Sequence, residues 1–471
     1  MTTPVVVQGG MGVGVSGWRL ARAVARTGQL GVVSGVALDV LLARRLQSGD
    51  PGGHVRRALA HFPFGDVARR IVERYHVPGG PAAERPFRPV PRPGLLPRPA
   101  TQELAVAANF VEVFLAKEGH DGPVGVNYLE KIQVATPAAV YGAMLAGVDH
   151  VLMGAGLPTE IPALLNALTE HRPARVTVAV HGAPAGETYH ATIDPAALFG
   201  TTAGPLRRPR LLAIVSSATL AGYLARDAAT RPDGFVLESP NAGGHSARPR
   251  GRLVLDAAGE PVYGPRDEVD LGRVAALGLP FWLAGGQTSP ERLAAARAAG
   301  AAGVQVGTAF ALCRESGLDA RLRRQLLRAA HDGTLRVRND VRASPTGFPF
   351  KVVPLPGTVA EPHVYAARPR NCDLGYLRTP FRREGGGVGY RCPAEPVDEY
   401  LRKGGAIEDT VGSRCLCNGL VATAGAAQRR LDGSVEPPLV TLGQDVGFLR
   451  RLAPDGAEYG AADVVAFLLG G

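Results

Sequence analysis

The feature that most constrains this chain is an alternation repeated eight times between Pro4 and about Arg314. Short runs at Val5–Gln8, Leu30–Ser34, Val124–Tyr128, His150–Met153, Leu211–Val215, Gly234–Glu238, Phe281–Ala284 and Gly303–Val306 have strand composition, and stretches rich in Ala, Leu and Arg separate them. In those stretches apolar residues return every three or four positions, as in Glu291-Arg-Leu-Ala-Ala-Ala-Arg-Ala-Ala-Gly300, the period of an amphipathic helix. Thr136-Pro137 and Ser289-Pro290 each supply an N-cap followed by proline at the first helical position. Strands joined through helices pair in parallel. Eight such units predict an α/β fold, a (β/α)8 TIM barrel in preference to an open sheet.

Two insertions, at about 78–120 and 175–210, interrupt the pattern. Pro78–Pro99 is rich in Pro and Arg and reads as a loop, with a helix over Gln102–Lys117 behind it. Val176–His181 and Glu187–Ile193 read as the arms of a β-hairpin around Gly182-Ala-Pro-Ala-Gly186. After Gly333 turns and short strands replace the repeat. The expected organisation is a barrel over 1–333 and a C-terminal extension over 334–471, either a small unit or a cap on the barrel.

The 61 glycines and 39 prolines stay below the roughly 25–30% of a low-complexity chain, and 45% hydrophobic residues supply a large core. All but four of the 52 basic residues are arginine, the lysines being Lys117, Lys131, Lys351 and Lys403. The net charge of +10 raises nucleic acid as a partner, but the arginines are dispersed, as at Arg44-Arg45 and Arg323-Arg324. They lack the clustering and interleaved aromatics of a nucleic-acid surface. No apolar run approaches the ~20 residues of a membrane span, and Met1-Thr-Thr-Pro-Val-Val-Val lacks a charged leader. Five cysteines cannot staple a chain of 471 residues. A cytoplasmic setting is the expectation, with the oligomeric state open.

Gly12-Val-Gly-Val-Ser-Gly17 follows a strand, opens a helix and has Asp39 downstream, the spacing of a dinucleotide-binding fingerprint. The barrel-like alternation running on to Arg314 weighs against a Rossmann domain. Ala284-Gly285-Gly286-Gln287 and Val306-Gly307-Thr308-Ala309 occupy the seventh and eighth β–α loops, where main-chain N–H groups and helix N-termini can hold a phosphate. Glu238-Ser-Pro-Asn-Ala-Gly-Gly-His-Ser-Ala247 follows the sixth strand and sets His245 at the barrel mouth, where an imidazole can exchange a proton near neutral pH. Late in the chain Cys372, Cys392, Cys415 and Cys417 gather within 46 residues. They suggest a Cys₄ metal site for zinc or an iron–sulfur cluster, against buried structural thiols or a redox pair.

Pro4-Val-Val-Val-Gln-Gly-Gly-Met11, Gly125-Val-Asn127, Ala242-Gly-Gly-His245, Leu283-Ala-Gly-Gly286 and Val304-Gln-Val-Gly-Thr308 stand in the order seen in nitronate monooxygenases. Over about residues 4–330 the chain resembles that 2-nitropropane dioxygenase-like family, which also contains FMN-dependent enoyl-acyl-carrier-protein reductases. The resemblance implies a TIM barrel holding FMN. It implies that Gly9, Gly10 and Met11 lie against the flavin, that Gly243 and Gly244 approach it, and that Asn127 and Gln305 contact it. Gly285, Gly286, Gly307 and Thr308 would hold its phosphate, Ser216 would stand at a strand end near it, and His245 would be the catalytic histidine. Asn241 stands where the family usually has Glu, and the extension is longer than usual.

The implied function is oxidation of alkyl nitronates or nitroalkanes by dioxygen, with His245 taking the α-proton or holding the anion. An alternative is an NAD(P)H-dependent FMN reductase of an enoyl thioester or quinone. A third is a non-catalytic or RNA-associated barrel. The small-molecule substrate itself is not written in these motifs.

Overall fold

The computed structural model describes residues 3–80, 85–200 and 204–470. Residues 81–84 and 201–203, within the two insertions, lie outside that description. The eight expected strands form one parallel sheet: β1 (Val6–Gln8), β2 (Gly31–Ser34), β3 (Val124–Leu129), β4 (His150–Gly154), β5 (Arg210–Val215), β6 (Gly234–Glu238), β7 (Phe281–Ala284) and β8 (Gly303–Val306). Each lies beside its sequence neighbour, and β1 pairs with β8 in the register Val6↔Val304. Between β1 and β2, Gln8 N–H donates to the Leu30 carbonyl at 2.9 Å and Leu30 N–H to the Val6 carbonyl at 3.1 Å. These bonds bring the two edges together, as a (β/α)8 barrel requires.

The barrel interior is filled by Val7, Leu30, Val32, Leu152, Leu212, Val236 and Trp282, all buried. Helices Trp18–Ala25, Pro99–Lys117 and Thr136–Leu145 cover one flank of the sheet and bury their apolar faces in a second cluster. The Pro99–Lys117 helix begins three residues before the expected Gln102, because Pro99 fits the first helical turn. The hairpin forms between Ala174–Thr177 and His190–Ile193, shorter than its sequence arms. Its outer part is drawn elsewhere: His181 N–H donates to the Pro380 carbonyl, and the His181 carbonyl accepts from Arg382 N–H.

The residues after Gly333 lie on the barrel. Leu449, Val464, Val465 and Leu468 share one core cluster with Val6 and Phe310, while Leu374, Tyr376 and Val421 belong to the cluster under the Pro99–Lys117 helix. The Pro-rich loop helps to bed them: Leu95 N–H donates to the Tyr390 hydroxyl and Phe87 N–H to Gln428 Oε1. A short antiparallel pair, Arg338–Asp340 with Phe350–Val352, crosses near the barrel mouth. There Lys351 N–H donates to the Gly244 carbonyl at 2.9 Å and Ser246 N–H to the Pro349 carbonyl at 2.9 Å. The loop that carries His245 is therefore pinned along its backbone by chain about a hundred residues away.

Candidate functional site

A two-armed cavity opens at the C-terminal ends of the barrel strands. Gly10, Gly12, Glu238, Gly243, Gly244, Gln305 and Thr441 line both arms and so mark their junction. One arm is lined by Gly9, Met11, Gly285, Gly286, Gly307 and Thr308. The other adds Asn127, His245 and a mainly apolar wall that includes Ile132, Ile214, Phe350, Leu377, Leu416 and Leu420. Eleven of the twelve cofactor-contact candidates thus meet in one continuous space, together with His245. Ser216 does not: it lines a separate small recess, and its carbonyl accepts from Arg250 at 2.8 Å.

The glycines of the first arm answer to different constraints. Gly285 has φ +87°, and a Cβ there would collide with Ser239 Oγ, so a side chain is excluded twice over. Gly10 packs against Asn127, where an added Cβ would collide with the Asn127 Cβ; its smallness is needed by the protein whether or not a ligand is bound. The helix after β8 is only Thr308–Ala311, and the helix after β7 begins at Pro290, beyond the glycine pair. Gly307 and Thr308 thus stand at the N-terminus of a single-turn helix, whereas Gly285 and Gly286 offer main-chain N–H groups ahead of theirs. Thr308 Oγ1 already accepts from Gly443 N–H at 2.8 Å, which leaves its proton free to be donated into the arm.

The residues present fit the FMN that the motifs imply. The first arm is a glycine cradle, and Gln305 Oε1 at the junction is a buried acceptor with no partner among the described residues. A buried acceptor without a bond costs about 1–3 kcal/mol, and a donor on a bound ring would remove that cost. The dinucleotide alternative at Gly12–Gly17 is not supported. Gly14, at φ +74°, packs on Leu41, and buried Asp39 accepts from the Tyr376 hydroxyl. Burial raises the Asp39 carboxyl above its ordinary range, and the Tyr376 bond works against that rise.

His245 is partly buried, with Nε2 at 2.7 Å from Ser344 Oγ and its ring edge-on to Phe350, centroids 4.8 Å apart. Burial, and then the charge of Lys131, push its pKa down to about 4, so the ring is neutral at pH 7. Lys131 itself lies 3.7 Å over the Phe348 ring. Glu238, at the end of β6, was not singled out in the sequence although it stands in the quoted segment. Burial raises its carboxyl to about 7, opposed by the charge of Lys351. Lys351 is fully buried and is pushed down to about 8 by burial. Its Nζ donates to the Pro240 carbonyl at 2.7 Å and to Ser246 Oγ. Ser344, Phe350, Lys351, Tyr376 and Thr441 reach the site from far along the chain, and no local motif announces them.

The cysteine expectation gains no support. Among the described residues no three His, Cys, Asp or Glu side chains converge as metal ligands, and Cys372, Cys392, Cys415 and Cys417 are free thiols. Burial raises all four, Cys417 to about 11. Cys417 instead forms part of the cavity wall. No helix among the described residues is long and apolar enough to cross a membrane.

Comparison with known proteins finds a family match over part of the chain. Residues 208–345 match the model of the nitronate monooxygenase family. A curated relative, (3aS,4S,5R,7aS)-5-hydroxy-7a-methyl-1-oxo-octahydro-1H-indene-4-carboxyl-CoA dehydrogenase of Mycobacterium tuberculosis, is 30% identical over 140 residues, 30% of this chain and 35% of that protein. The match thus spans about a third of the relative's length. Among solved structures, FabK from Thermotoga maritima aligns at 17% identity with a TM-score of 0.47, covering 99% of this chain and 92% of that one. Nitroalkane oxidase from Streptomyces ansochromogenes aligns at 18% identity with a TM-score of 0.43, covering 99% and 94%. The matched segment, 208–345, carries β5 to β8 and the Ala-Gly-Gly-His loop and is similar to the nitronate monooxygenase family, the one that the motifs resemble.

Proposed function

We propose that this protein is an FMN-dependent oxidoreductase that oxidises alkyl nitronates and nitroalkanes with dioxygen. The observation that carries the reading is the two-armed cavity, a glycine cradle joined to an apolar chamber with a neutral imidazole in its wall. FMN, when bound, supplies the electron acceptor that dioxygen reoxidises. Main-chain N–H groups of Gly285, Gly286 and Gly307 and the Thr308 hydroxyl would hold its phosphate. Gly9, Gly10, Met11, Gly243, Gly244, Asn127 and Gln305 would hold the rings.

The chain's own residues then define the substrate chamber. Ile132, Ile214, Leu416 and Leu420 exclude water from an alkyl group. In the tautomer whose Nε2 accepts a hydrogen bond from the Ser344 hydroxyl, the neutral His245 carries its ring hydrogen on Nδ1 and would donate it to a nitro or nitronate oxygen. A hydrogen bond of this kind strengthens as negative charge gathers on the oxygens.

The test is direct. Purified protein should carry a flavin absorption spectrum, release FMN and not FAD on heating, and consume oxygen with a nitronate in the absence of NAD(P)H. Colourless protein that takes up no added FMN, or that binds nucleic acid with a steep salt dependence, would overturn the proposal. A second reading, hydride transfer to or from a thioester, is favoured by the printed name of the 30% identical relative, a carboxyl-CoA dehydrogenase. It predicts that NADPH bleaches the bound flavin under anaerobic conditions, which nitronate oxidation does not require.

A further inference from the structure

Among the groups lining the cavity, Glu238 is the one whose surroundings do not explain its presence. Its side chain sits where both arms meet and also borders the small recess beneath Arg248 and Arg250. No side chain or backbone group among the described residues hydrogen-bonds it. The cation that compensates it, Lys351, spends its contacts on the Pro240 carbonyl and Ser246 Oγ. A carboxyl held at a barrel mouth without a bonded partner is costly to keep and is available to a ligand.

We propose that Glu238 is the general base of this site, taking the α-proton of a neutral nitroalkane, with Lys351 as the positioning residue that tunes it. The inference rests on the proposed nitronate chemistry and deepens it. The Cα–H bond of the substrate breaks, its proton passes to a Glu238 carboxylate oxygen, and the bonding pair moves onto the nitro group to give the nitronate anion. No oxidation occurs in this step, so no co-reactant is needed. His245 serves as donor to the anion and remains neutral.

The division of labour follows from the two environments. An imidazole with a pKa near 4 is a weak acceptor for a proton held on carbon, whereas a carboxyl near 7 matches the working pH. The charged and titratable groups around Glu238 are Lys351 from the extension, the neutral His245 on its loop, and Arg248, Arg250, Tyr263 and Asp267 across the recess. Asp267 is occupied by the N–H groups of Arg250 and Gly264, and Arg248 and Arg250 donate to carbonyls. Burial therefore sets the carboxyl, and Lys351 is the charge that draws it back down.

In the holoenzyme, E238Q should lower kcat/KM for a neutral nitroalkane by about 10²–10⁴-fold, the usual worth of a general base. Pre-formed nitronate should lose less than about tenfold, because it has no α-proton to give up. E238D should recover part of the nitroalkane rate, and retained FMN content shows that both variants are folded. K351M should move the limb on which nitroalkane kcat/KM rises with pH to higher pH, since it removes the cation that favours the carboxylate. As a readout independent of turnover, isotope-edited infrared titration should show a protonated carboxyl in the wild type that ionises near neutral pH and is missing in E238Q. Wild-type protein that oxidises nitronate while E238Q keeps its full nitroalkane rate would overturn the assignment to Glu238. Wild-type protein that leaves nitronate unoxidised would overturn the parent reading instead.

Discussion

Replacing Glu238 by Gln should stabilise the protein, by an amount that depends on pH in a direction the site dictates. Burial raises the Glu238 carboxyl from the 4.5 of a free side chain to about 7, against the pull of Lys351. At 1.36 kcal/mol per pH unit, that difference corresponds to roughly 3 kcal/mol. Because the folded-state value is raised, the group's favourable contribution is complete below about pH 4.5 and is lost as pH rises through 7. Gln carries no charge at any pH and escapes the loss. With about 2.1 cal/mol/K of unfolding entropy per residue, a chain of this length gains roughly one degree in Tm per kcal/mol. E238Q should therefore melt about 3 °C above wild type at pH 8 and within about 1 °C of it at pH 5, measured by calorimetry without added cofactor. An equal advantage at both pH values would show that the carboxyl is not displaced. A Tm below wild type at pH 8 would show that Glu238 makes a stabilising bond, and the argument for a free carboxyl would fail.

Gly285→Ala places a side chain at φ +87° and against Ser239 Oγ, a strain of about 1–2 kcal/mol from the backbone alone. It should weaken FMN at least about tenfold, read by quenching of FMN fluorescence, and an unchanged Kd would remove the cradle assignment. His245→Asn should keep FMN and slow nitroalkane and nitronate alike by about 10–100-fold, the worth of one hydrogen bond to a charged group. A loss confined to nitroalkane would return the base role to His245. Asp149, buried at the foot of β4, accepts from Lys117 at 2.6 Å, from Val124 N–H at 2.9 Å and from Arg207. Burial would raise its carboxyl, yet these donors hold it below the ordinary range. Its contribution is therefore present above the unfolded-state pKa and lost as pH falls through the lower folded-state value. Asp149→Asn should cost about 3–5 kcal/mol at pH 7 and progressively less towards pH 3, read by urea denaturation. A cost that does not change with pH would refute the ion-pair account.

The barrel was legible because each strand is a short run of strand-forming residues and each helix carries a 3.6-residue period; both are local properties. The cradle was legible too, since loop glycines such as Gly285 announce a backbone that side chains cannot adopt. Ser216 lies apart from the two arms: a strand-end position does not reveal which way a residue faces, and here the carbonyl turns to Arg250. The four cysteines do come near one another, for Cys392, Cys415 and Cys417 each feel the charge of at least one of the others, Cys372 included. Yet among the described residues no three side chains are arranged as metal ligands, an arrangement that spacing in sequence does not disclose. Glu238 was overlooked for a further reason. A carboxylate at a strand end is ordinary in a sequence, and it becomes chemically distinctive only when the fold buries it, a burial that the charge of Lys351, more than a hundred residues away, only partly offsets. Lys351 did leave one trace, as one of four lysines among arginines. An arginine there could not lose its proton near neutral pH, whereas a buried lysine is pushed down to about 8.

The family match ends at residue 345, just after Ser344 and before Phe350 and Lys351. What falls inside it is the loop that presents His245 and the glycine pair of the cradle. What falls outside includes Lys351, whose charge opposes the burial of Glu238, and Tyr376, Leu416, Cys417 and Leu420, which help to build the apolar wall. The loop and its clamp are also coupled mechanically. Gly243 has no room for a Cβ because Leu442 and Gly443 lie against it, and Gly244 N–H donates to Thr441 Oγ1 at 3.0 Å. A change of substrate can therefore be made in the extension, by resizing the wall, without disturbing the cradle. A change of acid–base chemistry cannot be separated so easily. The same strand supplies the lysine that tunes Glu238 and the backbone bonds that hold the His245 loop.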